Sequence, residues 1–220
     1  STLIELGEMD KGFNSLLDTI KMLSDSPLQN PDLGPLINGI CYLMKVTGDF
    51  SKSKFALEQA YEAYRSSLPE SASTLDIGNA LATIYENTNL LDQAILIYSD
   101  IAEICQKNYP NDPGTATSLN NFANALETNE QFADAEALYH KAEEILRGGA
   151  GTPGKLADVL NNIAYLAKKA GRFDDATNYY LEAFSLLKNL DDSSYNFKSI
   201  VICFNLSRLF EDSDRIQAIE

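Results

Sequence analysis

Leu119-Asn120-Asn121-Phe122-Ala123 and Leu160-Asn161-Asn162-Ile163-Ala164 are one pattern written twice, 41 positions apart. The match continues downstream, where Phe132, Ala135, Tyr139 and Ala142 become Phe173, Ala176, Tyr180 and Ala183 at the same offset. A fixed period of this length marks units that cannot bury their apolar faces alone and do so by stacking on one another. Within each copy the apolar residues recur three and four apart, which is helical spacing. The expected fold class is therefore all-α: an α-solenoid of stacked antiparallel helix pairs.

Stepping back by 41 from Ala176 gives Ala135, Ala94, Ser53 and Gly12, all small. Small side chains at this place let the second helix of a pair cross close to the first. The same ruler finds Ile163, Phe122, Leu81 and Ile40, each followed by a small residue: Ala164, Ala123, Ala82 and Cys41. Four residues beyond the crossing lie Tyr180, Tyr139, Tyr98, Leu57 and Leu16, and three further lie Ala183, Ala142, Ile101, Ala60 and Thr19. Large and small positions alternate as interlocking helix faces require.

This ruler divides residues 1–220 into one array: a partial repeat over 1–30, full repeats over 34–67, 75–108, 116–149 and 157–190, and a partial repeat over 198–220. Inter-helix turns are expected at Gly7-Glu8, Gly48-Asp49, Asn89 and Gly171-Arg172. Tyr109-Pro110-Asn111-Asp112-Pro113-Gly114 reads as a helix-stopping loop. After Phe210 the spacing slips by one, and a truncated second helix is expected from Asp214. Both ends fall inside repeats, so the reading expects a piece of a longer array.

The chain carries 45% hydrophobic residues and a net charge of −15. It contains no apolar run long enough to span a bilayer, and its acidic start does not resemble a targeting segment. Strong negative charge repels phosphate backbones and anionic lipid, which argues against nucleic acid or membrane as ligand and favours a neutral or basic protein partner. Cys41, Cys105 and Cys203 are widely separated and set in apolar helical contexts, as expected of buried reduced thiols in an intracellular, cytoplasmic protein.

These features resemble the tetratricopeptide repeat, over nearly the whole chain, and the resemblance implies that the α-solenoid is right-handed. The family's usual repeat is about 34 residues. A 41-residue spacing with a Pro/Gly loop and a Leu-Asn-Asn start is similar to the longer variety of kinesin light chains, and residues Asn111 to Asn121 carry that likeness best. The resemblance implies a non-enzymatic scaffold or adaptor that holds a peptide segment of another protein in the groove lined by each first helix. It implies no cofactor.

In the resembled fold, Asn38, Asn79, Asn120 and Asn161 form a ladder facing that groove. Each carboxamide offers a donor and an acceptor, so a row of them either clamps an extended peptide or ties neighbouring repeats together. One turn along are Tyr42, Thr83, Asn124 and Tyr165, of which Tyr42, Asn124 and Tyr165 join the ladder as candidate peptide-binding residues. The family's acidic-peptide binders use groove cations. Here the corresponding positions are Pro35, Asp76, Thr117 and Asp158, then Gly39, Ala80, Asn121 and Asn162, none of them cationic, so an acidic partner is not expected. Two other readings stay open: an oligomerisation or spacing element, and a non-catalytic regulatory domain of a larger enzyme or complex.

Other signals carry no chemistry. Gly149-Ala150-Gly151-Thr152-Pro153-Gly154 spells a dinucleotide fingerprint but follows a helix instead of a strand. His140, the single histidine, has no ligand at metal spacing and is expected on a solvated face. Asp174-Asp175 begins a helix, where carboxylates favour the positive end of the dipole. The Asn205-Leu206-Ser207 sequon sits inside an expected helix. No catalytic residue and no metal site is expected.

Overall fold

The computed structural model describes residues 2–27, 32–48, 50–188 and 193–217. Among these the architecture is all-α, with no strand. The chain forms two compact units, Ser1–Asn108 and Tyr109–Glu220.

The first unit holds α1 (Thr2–Ser24), α2 (Gly34–Thr47), α3 (Ser51–Ser67), α4 (Ala72–Asn87) and α5 (Leu91–Asn108). Its core gathers Ile40, Leu57, Tyr64, Ile77, Leu81, Ile84 and Ile101, all fully or almost fully buried. Gly78 of α4 is wedged where a Cβ would stand 2.7 Å from both Tyr61 and Ile101, so the neighbouring helices approach closer than any side chain would allow. The second unit holds α6 (Pro113–Thr128), α7 (Phe132–Ile145) with a π-turn over Leu146–Ala150, α8 (Pro153–Lys169), α9 (Phe173–Leu187) and α10 (Ser193–Gln217). Ile202 and Leu209 of α10 close its core over Leu160, Tyr180 and Leu187.

The small crossing residues Ser53, Ala94, Ala135 and Ala176 are all fully buried. One turn later Leu57, Tyr98, Tyr139 and Tyr180 fill the space the small residues open. The turns repeat as closely as the cores. Gly48, Asn89, Glu130 and Gly171, each 41 apart, all adopt the left-handed backbone, at φ of 68°, 60°, 61° and 76°. Glycine takes this conformation at little cost, whereas a side chain costs about 1–2 kcal/mol.

Four expectations change. The helix α1 runs unbroken through Gly7 and Glu8, because an isolated glycine inside a helix costs only about 1 kcal/mol. Its packing register is offset by one: Gly12 has open space beyond its Cα, while Phe13 and Ile20 are buried. Pro113 and Pro153 open helices, since proline in the first turn sacrifices an N–H that has no partner there. Asp112 and Thr152 cap these starts by accepting from the Gly114 and Lys155 amides. Finally, α10 continues through Asp214 to Gln217 with no second turn.

The cysteines are free, but only Cys105 is buried; Cys41 is half-buried and Cys203 exposed. On the second-helix side, Arg65 pairs with Asp100, and Arg147 binds Glu182 through two bonds of 2.7 and 2.9 Å. These pairs lie two periods apart at equivalent positions. Exposed as they are, each adds at most about 1 kcal/mol. His140 is exposed, as expected, with Glu143 beside it, Nδ1 lying 3.0 Å from Oε2.

Two substitutions test this account by urea unfolding. Replacing Ala176 with Leu forces the α8–α9 crossing apart and should cost about 1–3 kcal/mol. Glu130→Gly relieves the left-handed turn and should stabilise by roughly 1 kcal/mol. A neutral Ala176→Leu would contradict the crossing geometry.

Candidate functional site

The first helices carry the asparagines onto one face within each unit. In the first unit, Asn38 of α2 is exposed and Asn79 of α4 half-buried. Both line a cleft of about 190 Å³ with Cys41, Asp76 and Thr83. Asn79 Oδ1 is buried there without a hydrogen-bond partner. Burial and the charge of Asp32 push the Asp76 carboxyl up. Tyr42 is 66% exposed and fills no inter-helix space.

In the second unit the amides meet one another. Asn162 Nδ2 donates to Asn120 Oδ1 at 3.0 Å and to Asn124 Oδ1 at 3.1 Å. Asn205 Nδ2 donates to Asn161 Oδ1 at 3.0 Å, and Asn161 Nδ2 to Asn162 Oδ1 at 3.3 Å. This chain of carboxamides runs from α10 through α8 to α6. A buried amide left unpaired costs more than its bond gains, so each link holds its neighbour in place. The network walls a cleft of about 350 Å³ that also includes Glu127, Thr128 and Tyr165. Tyr165 is 38% exposed at its edge.

Beneath this face each second-helix tyrosine meets the first helix of its own pair. The Tyr98 hydroxyl donates to Glu86 Oε2 at 3.1 Å, and Tyr139 to Glu127 Oε2 at 2.9 Å. Desolvation pushes both carboxyls up, and the tyrosine hydrogen bond partly offsets this. Tyr180, in the next repeat, is fully buried and its hydroxyl has no partner.

Cations reach the face by routes outside the positions considered from sequence. Lys198 of α10 lies 2.5 Å from Asp158 Oδ2, and with Lys155 borders a cleft that includes Asn120. Lys168, Lys169 and Arg208 border another with Tyr165, Tyr180 and Asn205. The eight positions named from sequence hold no cation, and the cations that border these clefts come from helix ends and α10. Asn162, Asn205 and Lys168 were not among the candidate residues. Asn205 was hidden because the partial last repeat offered no full period to align.

Tetratricopeptide repeat models match residues 70–148 and 156–190, together just over half the chain. The chain belongs to the tetratricopeptide repeat family. No curated protein matches it. Among solved structures it is similar to BtubC (BKLC) of P. vanneervenii, at 20% identity and a TM-score of 0.70, covering 96% of this chain and 91% of that one. It is also similar to an array of nearly identical TPR-like repeats from P. anserina, named for the kinesin light chain. That match has 16% identity and a TM-score of 0.70, and covers 86% of this chain and 90% of that one. These likenesses establish the fold as a tetratricopeptide solenoid. Tetratricopeptide repeat proteins are generally non-catalytic protein–protein interaction scaffolds. Among the described residues no helix is long and apolar enough to cross a membrane, and no acid, cysteine or histidine cluster is able to hold a metal.

The amide chain makes a quantitative prediction. Asn162→Ala should cost about 0.5–1.5 kcal/mol in urea unfolding, because it removes the half-buried donor to Asn120 and Asn124, the latter keeping the Tyr139 hydroxyl. Combining it with Asn120→Ala should cost less than the sum of the two. Strict additivity would show that the contact carries no coupling energy.

Proposed function

We propose that the chain binds a peptide segment of another protein along the first-helix face, through Asn38, Asn79, Tyr42, Asn120, Asn124, Asn161 and Tyr165. The observation that carries this reading is the open cleft of about 350 Å³ walled by the amide chain. Asn161 and Asn162 hold α8 to its neighbours and still border it, so stacking and binding need not exclude each other. Amides offer backbone-directed hydrogen bonds, and Tyr42 and Tyr165 offer amphipathic anchors that lose little entropy on binding. With a net charge of −15, the surface favours a segment that is neutral or basic overall, and disfavours nucleic acid. The likeness to structures named for the kinesin light chain supports an adaptor role. Three free cysteines fit a reducing compartment inside the cell.

A second reading has an observation of its own. Phe197, Ile200, Val201 and Phe204 of α10 stand 70%, 65%, 37% and 60% exposed at helical spacing. That apolar stripe supports self-association through α10, a second copy covering it.

Peptide display against the immobilised chain should enrich binders. Tyr165→Ala and Asn38→Ala should weaken them, while Leu96→Ser and Leu181→Ser on the second helices should not. Equal loss from both groups, or no enrichment, would remove the groove reading. Light scattering should report a monomer under the first reading. A dimer abolished by Phe204→Glu would establish the second.

A further inference from the structure

The asparagine ladder is answered at two rungs and left open at one. Asn120 Oδ1 accepts from Asn162 at 3.0 Å, and Asn161 Oδ1 accepts from Asn205 at the same distance. One period before Asn120, in the first unit, Asn79 Oδ1 is closed off from water and accepts no hydrogen bond. A buried acceptor without a donor carries a desolvation cost that a donor from outside would recover. The cleft that Asn79 borders, about 190 Å³, has walls of Ile37, Met44 and Ala80, all buried. That volume is below the roughly 300 Å³ at which pockets take whole small molecules, and it suits one long side chain.

The two ends of this cleft differ in charge. α2 and α4 run side by side in the same direction: where both begin, the Leu33 amide donates to Ser73 Oγ at 2.6 Å, and Asp76 Oδ2 would stand 3.4 Å from a Cβ on Gly34. Asp32 Oδ1 is taken by the Gly34 amide at 3.0 Å. Asp76 has no such partner: among the described residues no cation pairs with it, and the charge acting on it is that of Asp32, of its own sign. Lys45 borders the far end, in the last turn of α2, about 15 Å along at 1.5 Å per residue. It is too distant to pair with Asp76. An acidic mouth, apolar walls and an unanswered acceptor together fit one kind of group, a long alkyl stem that ends in a cationic donor. The last torsion of an asparagine is soft, so an entering donor draws Oδ1 round to meet it.

We propose that this cleft takes a lysine or arginine side chain of the partner segment, its stem against Ile37, Met44 and Ala80 and its charged head bonded to Asp76 and the Asn79 amide oxygen. The inference rests on the groove reading and deepens it, placing a positive charge of the bound segment at the first unit. Both side chains present the required chemistry, an ammonium as a point charge and a guanidinium as a planar fork. The net charge of −15 draws such a segment in.

The test uses the whole chain with nitrogen-labelled side-chain amides, the Asn79 resonance being assigned by its loss in Asn79→Ser. Four blocked tripeptides are titrated at constant ionic strength. Acetyl-Ala-Lys-Ala-amide is matched by its norleucine counterpart, which keeps the stem and removes the charge, and acetyl-Ala-Arg-Ala-amide by its citrulline counterpart, neutral at nearly the same shape. A saturable Asn79 shift with one or both cationic peptides, at least about tenfold weaker with the neutral counterpart, supports the proposal and identifies which cation fits. Asp76→Asn should weaken that binding by about tenfold or more without lowering the melting temperature, since Asp76 has no cationic partner to lose. Glu103→Gln, the same change of charge on an exposed residue of α5, should leave it unchanged. No saturable shift, an equal shift with the neutral peptides, or undiminished binding by Asp76→Asn would overturn it. If display-selected peptides bind wild type and Asp76→Asn alike, this site falls and the groove reading stands.

Discussion

The close crossing of paired helices at a small residue is the constraint on which the rest depends. Ser53, Ala94, Ala135 and Ala176 are all excluded from solvent, and at that separation no larger side chain fits without moving a whole helix. The crossing sets where the next turn falls, so Tyr98, Tyr139 and Tyr180 are driven into the pair interior with a hydroxyl that needs an acceptor. Packing thereby creates a polar requirement. The first helix meets it with Glu86 and Glu127, and each of these raised carboxyls is the cost of answering a buried phenol.

A second layer of polar chemistry ties repeat to repeat. In the second unit the first helices and α10 are joined through the Asn162–Asn120, Asn162–Asn124 and Asn205–Asn161 bonds. Amides suit this because each carries both donor and acceptor and no charge to desolvate. The same property suits amides to meet a peptide backbone, so under the proposed function the residues that tie the second unit's repeats together also face the partner. A charged ladder would have done the first task only at a large desolvation cost.

Against that regularity, departures are informative. Glu130 occupies a turn position where glycine or asparagine stands in other repeats, a local cost tolerated because the helices on either side fix the turn. Lys168 is a second exception, standing where the two preceding repeats carry Glu86 and Glu127, and the Tyr180 hydroxyl of that repeat is buried without a hydrogen-bond partner. A repeat protein reveals such exceptions more plainly than most folds, because each position has its own controls elsewhere in the chain.

Period, fold class, the turns at Gly48, Asn89 and Gly171 and the buried small and aromatic residues of the full repeats were legible in the sequence, because each repeat packs almost only on its neighbours and the same local problem is solved each time. Helix starts at Pro113 and Pro153, the unbroken α1 and the shifted register at Phe13 were not, since proline and glycine are compatible with either a boundary or a helix and only packing selects between them. The candidate site was half legible. Spacing placed the asparagines in one ladder, but a carboxamide's partners depend on which side chains the adjacent helix brings within 3 Å, and Asn205 comes from a helix without a complete repeat. Tertiary structure alone decided that Lys168, Lys169 and Arg208 share a cleft with Tyr180, because two come from the end of α8 and one from α10. Local periodicity is written in the chain; the meeting of side chains from different helices is a property of how those helices cross.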